Sequence, residues 1–134
     1  MSDLELMKHA AEARKKAYAP YSGFYVGAAL LTKSGKVYTG CNIENASYTP
    51  TNCAERTAFF KAVSEGERDF EAIAIVGGKG EEPSALCAPC GVCRQVMAEF
   101  CDGDFCVLLG TPDGIEVHTL KELLPLSFGK ADLS

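Results

Sequence analysis

The sequence predicts an α/β fold: a three-layer α/β/α sandwich built on a mixed five-stranded sheet. Three observations carry this. Segments with apolar residues at helical spacing alternate along the chain with short runs of strand length. The first two strand-like runs are joined by a bare turn, which makes an antiparallel hairpin for one edge of the sheet. A later run, Ala72 to Val76, is wholly apolar, as a strand covered on both faces has to be.

The elements follow in order. From Asp3 to Tyr18, Leu4, Leu6, Met7, Ala10, Ala11, Ala13 and Ala17 keep close to helical spacing, with Ser2 or Asp3 as N-cap. Pro20-Tyr21-Ser22-Gly23 ends this segment. Strands over Tyr25–Thr32 and Lys36–Cys41 flank the turn Lys33-Ser34-Gly35. After an irregular stretch from Asn42 to Asn52, a helix is expected over Cys53–Ser64, with Gly66 as its stop. The apolar strand Ala72–Val76 leads into a Gly/Pro/Glu-rich loop, Gly77 to Pro83. Pro89 suits a helix start, and Cys90–Phe100 places Val92, Val96, Met97 and Phe100 on one side. Phe105–Leu109 and Ile115–His118 are strands around the turn Thr111-Pro112-Asp113-Gly114, and a short helix lies near Leu120–Leu124. Nothing resembles a repeat, a low-complexity tract or a linker, so residues 1–134 read as one domain.

Composition narrows the function classes. Thirteen basic residues are scattered among 18 acidic ones, for a net charge of −5. A phosphate backbone needs clustered Lys and Arg, so nucleic acid is not expected as a partner. The small basic spots Arg14-Lys15-Lys16 and Lys33/Lys36 read as solvated surface. No apolar run approaches the ~20 residues of a membrane helix, and the N-terminal residues lack the order of a signal peptide. The expectation is a cytoplasmic protein with no membrane partner. Disulfides are rare in that compartment, so the seven cysteines call for another account: some hold a metal and others pack as small hydrophobes.

Two short stretches carry the chemistry: Cys53-Ala54-Glu55-Arg56 and Pro89-Cys90-Gly91-Val92-Cys93-Arg94. Each opens a predicted helix after a loop. Cys90 and Cys93, three apart on a first helical turn, project to one side and can share an ion. Cys53 would be a third ligand, leaving the fourth tetrahedral position of a zinc ion open, as catalytic sites do. Helix N-termini favour thiolates because their unpaired N–H groups stabilise negative charge. Arg56, on the same face as Cys53, would offset the charge of three thiolates. Glu55 is close enough to relay protons beside the metal without binding it.

Blander readings stand beside these. Cys-x-x-Cys also occurs as a structural zinc half-site or a redox pair. A closed structural site would need a fourth ligand, for which Cys87 is the nearby candidate. Ala88 precedes a proline and is pushed out of helical geometry, so Cys87 should lie in the loop as a packed or partly exposed thiol. Cys41, Cys101 and Cys106 are expected in the core, and His9 and His118 on the surface or satisfied locally.

Cys53-Ala-Glu55 with Pro89-Cys90-Gly-Val-Cys93 resembles the three-cysteine signature of zinc deaminases. The stretches YSGFYVGAAL (21–30), GCNIENASY (40–48), CAERTAFFKAVSEG (53–66), CGVCRQVMAEF (90–100) and LLPLSF (123–128) resemble the cytidine deaminase family, in order and over nearly the whole chain. The resemblance implies a zinc-dependent hydrolytic deaminase of cytidine and deoxycytidine, of the homotetrameric, three-cysteine type, serving pyrimidine salvage. It implies one Zn²⁺ per subunit on Cys53, Cys90 and Cys93, with Glu55 as the proton relay. Phe24 would stack near the pyrimidine, Asn42 and Glu44 would bind the ribose hydroxyls, and the backbone of Ala54 would hold the base edge. Phe128 is similar to a residue that stacks on the base in an adjacent subunit, and Ala46-Ser47-Tyr48 to a segment bordering a neighbour's site. The alternatives are a deaminase of a modified cytosine nucleoside and a non-catalytic zinc-stabilised binding module.

Overall fold

The computed structural model describes residues 1–134. Helix α1 (Asp3–Arg14) opens with a capping box: the Glu5 N–H donates to Ser2 Oγ at 3.1 Å, while the Glu5 carboxylate reaches back to the Ser2 N–H. It ends at Arg14 instead of Tyr18, because Tyr18 is drawn into an isolated bridge with Ile43. There its N–H donates to the Asn42 carbonyl and its carbonyl accepts the Glu44 N–H, both at 2.9 Å.

Five strands form one sheet in the order β2-β1-β3-β4-β5. They are β1 (Tyr25–Thr32), β2 (Val37–Cys41), β3 (Phe70–Gly78), β4 (Cys106–Thr111) and β5 (Gly114–Thr119). Only β3 and β4 run parallel; the other neighbours are antiparallel, so the sheet is mixed as expected. Helices α2 (Ala54–Ser64), α3 (Gly91–Phe100) and α4 (Leu120–Leu123) complete the order.

Strand side chains alternate between two cores. Val26, Ala28 and Leu30 of β1, with Ile73, Ile75, Val107 and Leu109, pack beneath α2 and α3 around Phe59 and Met97. Ala29, Leu31, Ala72, Ala74, Val76 and Leu108 face α1 through Leu6, Met7 and Ala10. Every strand of the central three therefore buries both faces, which is why Ala72–Val76 carries no polar residue. Val92, expected on the apolar side of α3, is instead 57% exposed; Cys93 and Met97 fill the buried side. Cys41, Cys101 and Cys106 are half-buried and not in the sealed core.

The sheet also seats α2. A Cβ on Gly40 would stand 2.4 Å from the Ala54 carbonyl oxygen, so only glycine lets the first turn of α2 lie on β2. That contact fixes the direction from which Cys53 enters the helix.

Arg14 departs most from expectation. In place of a solvated basic spot it is a 4%-exposed side chain. Its guanidinium donates to the carbonyls of Tyr25 (3.0 Å), Gly78 (2.7 Å), Glu81 (3.0 Å) and Gly80. No helix is long and apolar enough to cross a membrane.

Candidate active site and metal centre

The starts of α2 and α3 bring the two cysteine stretches together. Cys53 and Cys90 are the N-cap residues, each with extended backbone (φ −77°, ψ 156° and φ −69°, ψ 167°), and neither makes a side-chain cap hydrogen bond. Both sulfurs therefore stand at helix N-termini, where the positive end of the helix dipole favours thiolate. Cys93 follows one turn into α3 and is 1% exposed.

Cys53 Sγ lies 3.9 Å from Cys90 Sγ, and Cys90 Sγ 3.6 Å from Cys93 Sγ; the three sulfurs lie within 4.8 Å of one another. Tetrahedral zinc with Zn–S bonds of ~2.3 Å requires sulfurs ~3.8 Å apart, so the donor set fits zinc. Cys87 is outside the group. It packs instead against β3: a Cβ on Gly77 would come within 2.8 Å of Cys87 Cβ and 3.1 Å of Phe24 Cε2. Burial pushes the Cys87 thiol up to about 12.

Charge in this space is tightly managed. The Cys53 thiol is pulled down to about 5, first by a hydrogen bond from Cys93 and then by Arg56, against the cost of desolvation. The same Cys53–Cys93 bond raises the Cys93 thiol. Arg56 Nη2 donates to Cys53 Sγ at 3.2 Å. Burial opposes the Arg56 charge, but bonds to Cys53 and Cys93 outweigh it and hold the guanidinium above its usual range. Glu55 is 4% exposed, and desolvation raises its carboxyl to about 7, with the Cys53 charge adding to the shift.

Beside the thiols opens a cavity of about 320 Å³, within the ~300–1,000 Å³ range of small-molecule sites. Phe24, Asn42, Glu44, Ala54 and Glu55 line it, and Cys87 and Ala88 belong to its wall just before Cys90 in sequence. Asn42 is 8% exposed and already engaged: its Oδ1 accepts the Val26 N–H at 2.9 Å and its Nδ2 donates to the Phe24 carbonyl at 2.8 Å. One lone pair and one N–H remain free to it.

Two predicted site residues are not brought in. Tyr48, 71% exposed and at φ +62°, lines an adjoining cleft with Tyr21, Ser22, Glu44 and Thr51. Phe128 is 59% exposed and absent from the cavity lining; its carbonyl accepts from Gln95 Nε2 at 2.8 Å. Other residues at the site had no role in the sequence reading. Arg94 Nε donates to the Pro89 carbonyl at 2.7 Å and its Nη1 to the Leu123 carbonyl at 2.5 Å, tying the knuckle before Cys90 to α4. Ser22 and Gly77 line or shape the cavity. Ser22 and Arg94 sit inside the recognisable stretches, which was the available signal; for Gly77 there was none.

Residues 1–109 match the cytidine and deoxycytidylate deaminase zinc-binding region. The chain belongs to this deaminase family. A relative named cytidine deaminase from Sporosarcina psychrophila is 53% identical over 97% of this chain and 93% of its own. Another so named, from Halalkalibacterium halodurans, is 55% identical over 96% of each. The crystal structure of cytidine deaminase from Burkholderia pseudomallei superposes with a TM-score of 0.87 at 50% identity, covering 96% of this chain and 100% of that one. The family's fold and its zinc-binding region thus coincide with the mixed sheet and with the three sulfurs described above.

Proposed function

We propose that this chain deaminates cytidine and deoxycytidine hydrolytically, giving uridine and deoxyuridine with release of ammonia. The observation that carries the reading is the set of three sulfurs at zinc spacing beside a buried carboxyl, with Cys53, Cys90 and Glu55 lining a nucleoside-sized cavity. The relatives named cytidine deaminase support the choice of substrate.

Cys53, Cys90 and Cys93 would hold zinc, which would supply the Lewis acidity that makes hydroxide available from water near neutral pH. Glu55 takes a proton from the attacking water, delivers it to ring N3 and later serves the leaving amine. A C4–O bond forms, the C4–N bond breaks, and the nitrogen departs as ammonia. Arg56 offsets the thiolate charge. Phe24 stacks by the base, and the Ala54 backbone with the Cys87-Ala88-Pro89 loop holds its edge. Asn42 and Glu44 take the ribose hydroxyls, Asn42 with the valences its backbone bonds leave free. Phe128 acts in a neighbouring subunit of a homotetramer, whose site the Ala46-Ser47-Tyr48 segment borders; exposure of Phe128 and Tyr48 supports this. Residues 1–134 act as one catalytic domain, in the cytoplasm, in pyrimidine salvage.

A closed, non-catalytic zinc module would need Cys87 as a ligand, and Cys87 packs on Gly77 instead. The test is loss of cytidine absorbance with ammonia release by the zinc-loaded protein. Glu55→Gln is expected to keep its zinc and lose nearly all turnover; full activity in that variant overturns the reading.

A further inference from the structure

Glu44 is held in a cradle that its own segment does not provide. Its Oε1 accepts the N–H groups of Tyr21 at 3.0 Å and Ser22 at 3.1 Å, and its Oε2 accepts the Ser22 hydroxyl. The same Ser22 oxygen accepts the Phe24 N–H at 3.0 Å. One hydroxyl therefore touches both the Glu44 carboxylate and the backbone of Phe24. The turn that permits this passes through Gly23 at φ +66°, a left-handed conformation suited to glycine.

We infer that Ser22 is a positioning residue, locking the Glu44 side chain into one setting that receives the ribose. The inference rests on the proposed contact of Glu44 with the ribose. A carboxylate offers about four acceptor sites. Three are taken by the cradle, and the one left on Oε2 points its bond from a fixed side chain. A free glutamate would have to be ordered by each arriving substrate, and that ordering weakens binding. Because the cradle is open to solvent, water replaces the Ser22 hydroxyl when it is removed but does not fix the side chain.

The experiment compares Ser22→Ala and Ser22→Thr in the zinc-loaded enzyme, with cytidine and with 2′,3′-dideoxycytidine, which lacks the hydroxyls Glu44 would bind. Ser22→Ala is expected to raise KM for cytidine about tenfold with kcat within about twofold, a loss of uniform binding. Ser22→Thr should restore KM, and kcat/KM for the dideoxy substrate should change less than about twofold in either variant. An unchanged cytidine KM in Ser22→Ala, while Glu44→Gln raises it, overturns the positioning role and leaves the ribose contact standing. Equal losses on both substrates overturn it as well, since they report general loosening. An unchanged KM in Glu44→Gln overturns the ribose contact itself, and the inference with it.

Discussion

Arg56 Nη2 sits 3.2 Å from Cys53 Sγ, while its Nε is buried with no hydrogen-bond partner. A guanidinium kept in so costly a place is held there by the sulfur. Arg56→Ala is expected to weaken zinc binding by about 10–100-fold, the scale seen for residues that orient metal ligands. Competition with a chromogenic chelator measures this directly. Arg56→Lys should recover only part, because a point charge does not reproduce the fork.

Gly77 is where β3, Cys87 and Phe24 meet. Gly77→Ala would press a methyl into both side chains, and overpacking of this kind costs about 1–3 kcal/mol. Urea denaturation should show that loss. Cytidine KM should rise as Phe24 is displaced, with zinc content unchanged, since none of the three sulfurs is touched.

Removing Arg14 would leave four carbonyl groups to find other partners. Arg14→Met keeps the stem and deletes the donors, and is expected to cost about 2–3 kcal/mol in urea unfolding, the scale for buried polar groups left unpaired. Arg14→Lys, with one compact ammonium for a spread of carbonyls, should recover little.

Glu44 predicts a pH dependence. Bonds from the Ser22 hydroxyl, then the Ser22 and Tyr21 N–H groups, outweigh desolvation and hold its carboxyl below the ordinary value of 4.5. A depressed pKa keeps the carboxylate charged as pH falls through that ordinary value, and the charge is lost only lower down. Cytidine KM in the native protein should therefore rise from Glu44 protonation only at lower pH than an ordinary carboxylate would give. In Ser22→Ala the rise should begin at higher pH. Initial rates over pH 4–7, restricted to the range in which zinc is retained, measure both.

The two cysteine stretches that meet in the fold were legible because their signal is local. Cys90-Gly-Val-Cys93 and Cys53-Ala-Glu55 each need only one helical turn to mean what they mean. Strand order was half legible: the hairpin showed itself in the Lys33-Ser34-Gly35 turn, and the wholly apolar Ala72–Val76 announced the centre of the sheet. What stayed hidden depended on partners distant in sequence. Arg14-Lys15-Lys16 looks like a solvated run until the carbonyls of residues 25, 78, 80 and 81 close around its first member. The length of α1 was misread because Tyr18 has helical spacing but better backbone partners in Asn42 and Glu44. Ser22 looked like a turn residue, and it is one; its second task appears only when Glu44 folds against it.

The Arg14 anchor has a practical side. Three of the four carbonyls it holds lie at the end of β3 and in the loop beyond it, and Gly77 there bridges Ala85 on the way to the Cys87-Ala88 wall. The first helix lines no part of the cavity, yet it works as a handle on that wall. A tag, a trimmed end or an immobilisation linker that pulls on α1 would be transmitted to the pocket, and such alterations belong with active-site changes when variants of this enzyme are designed.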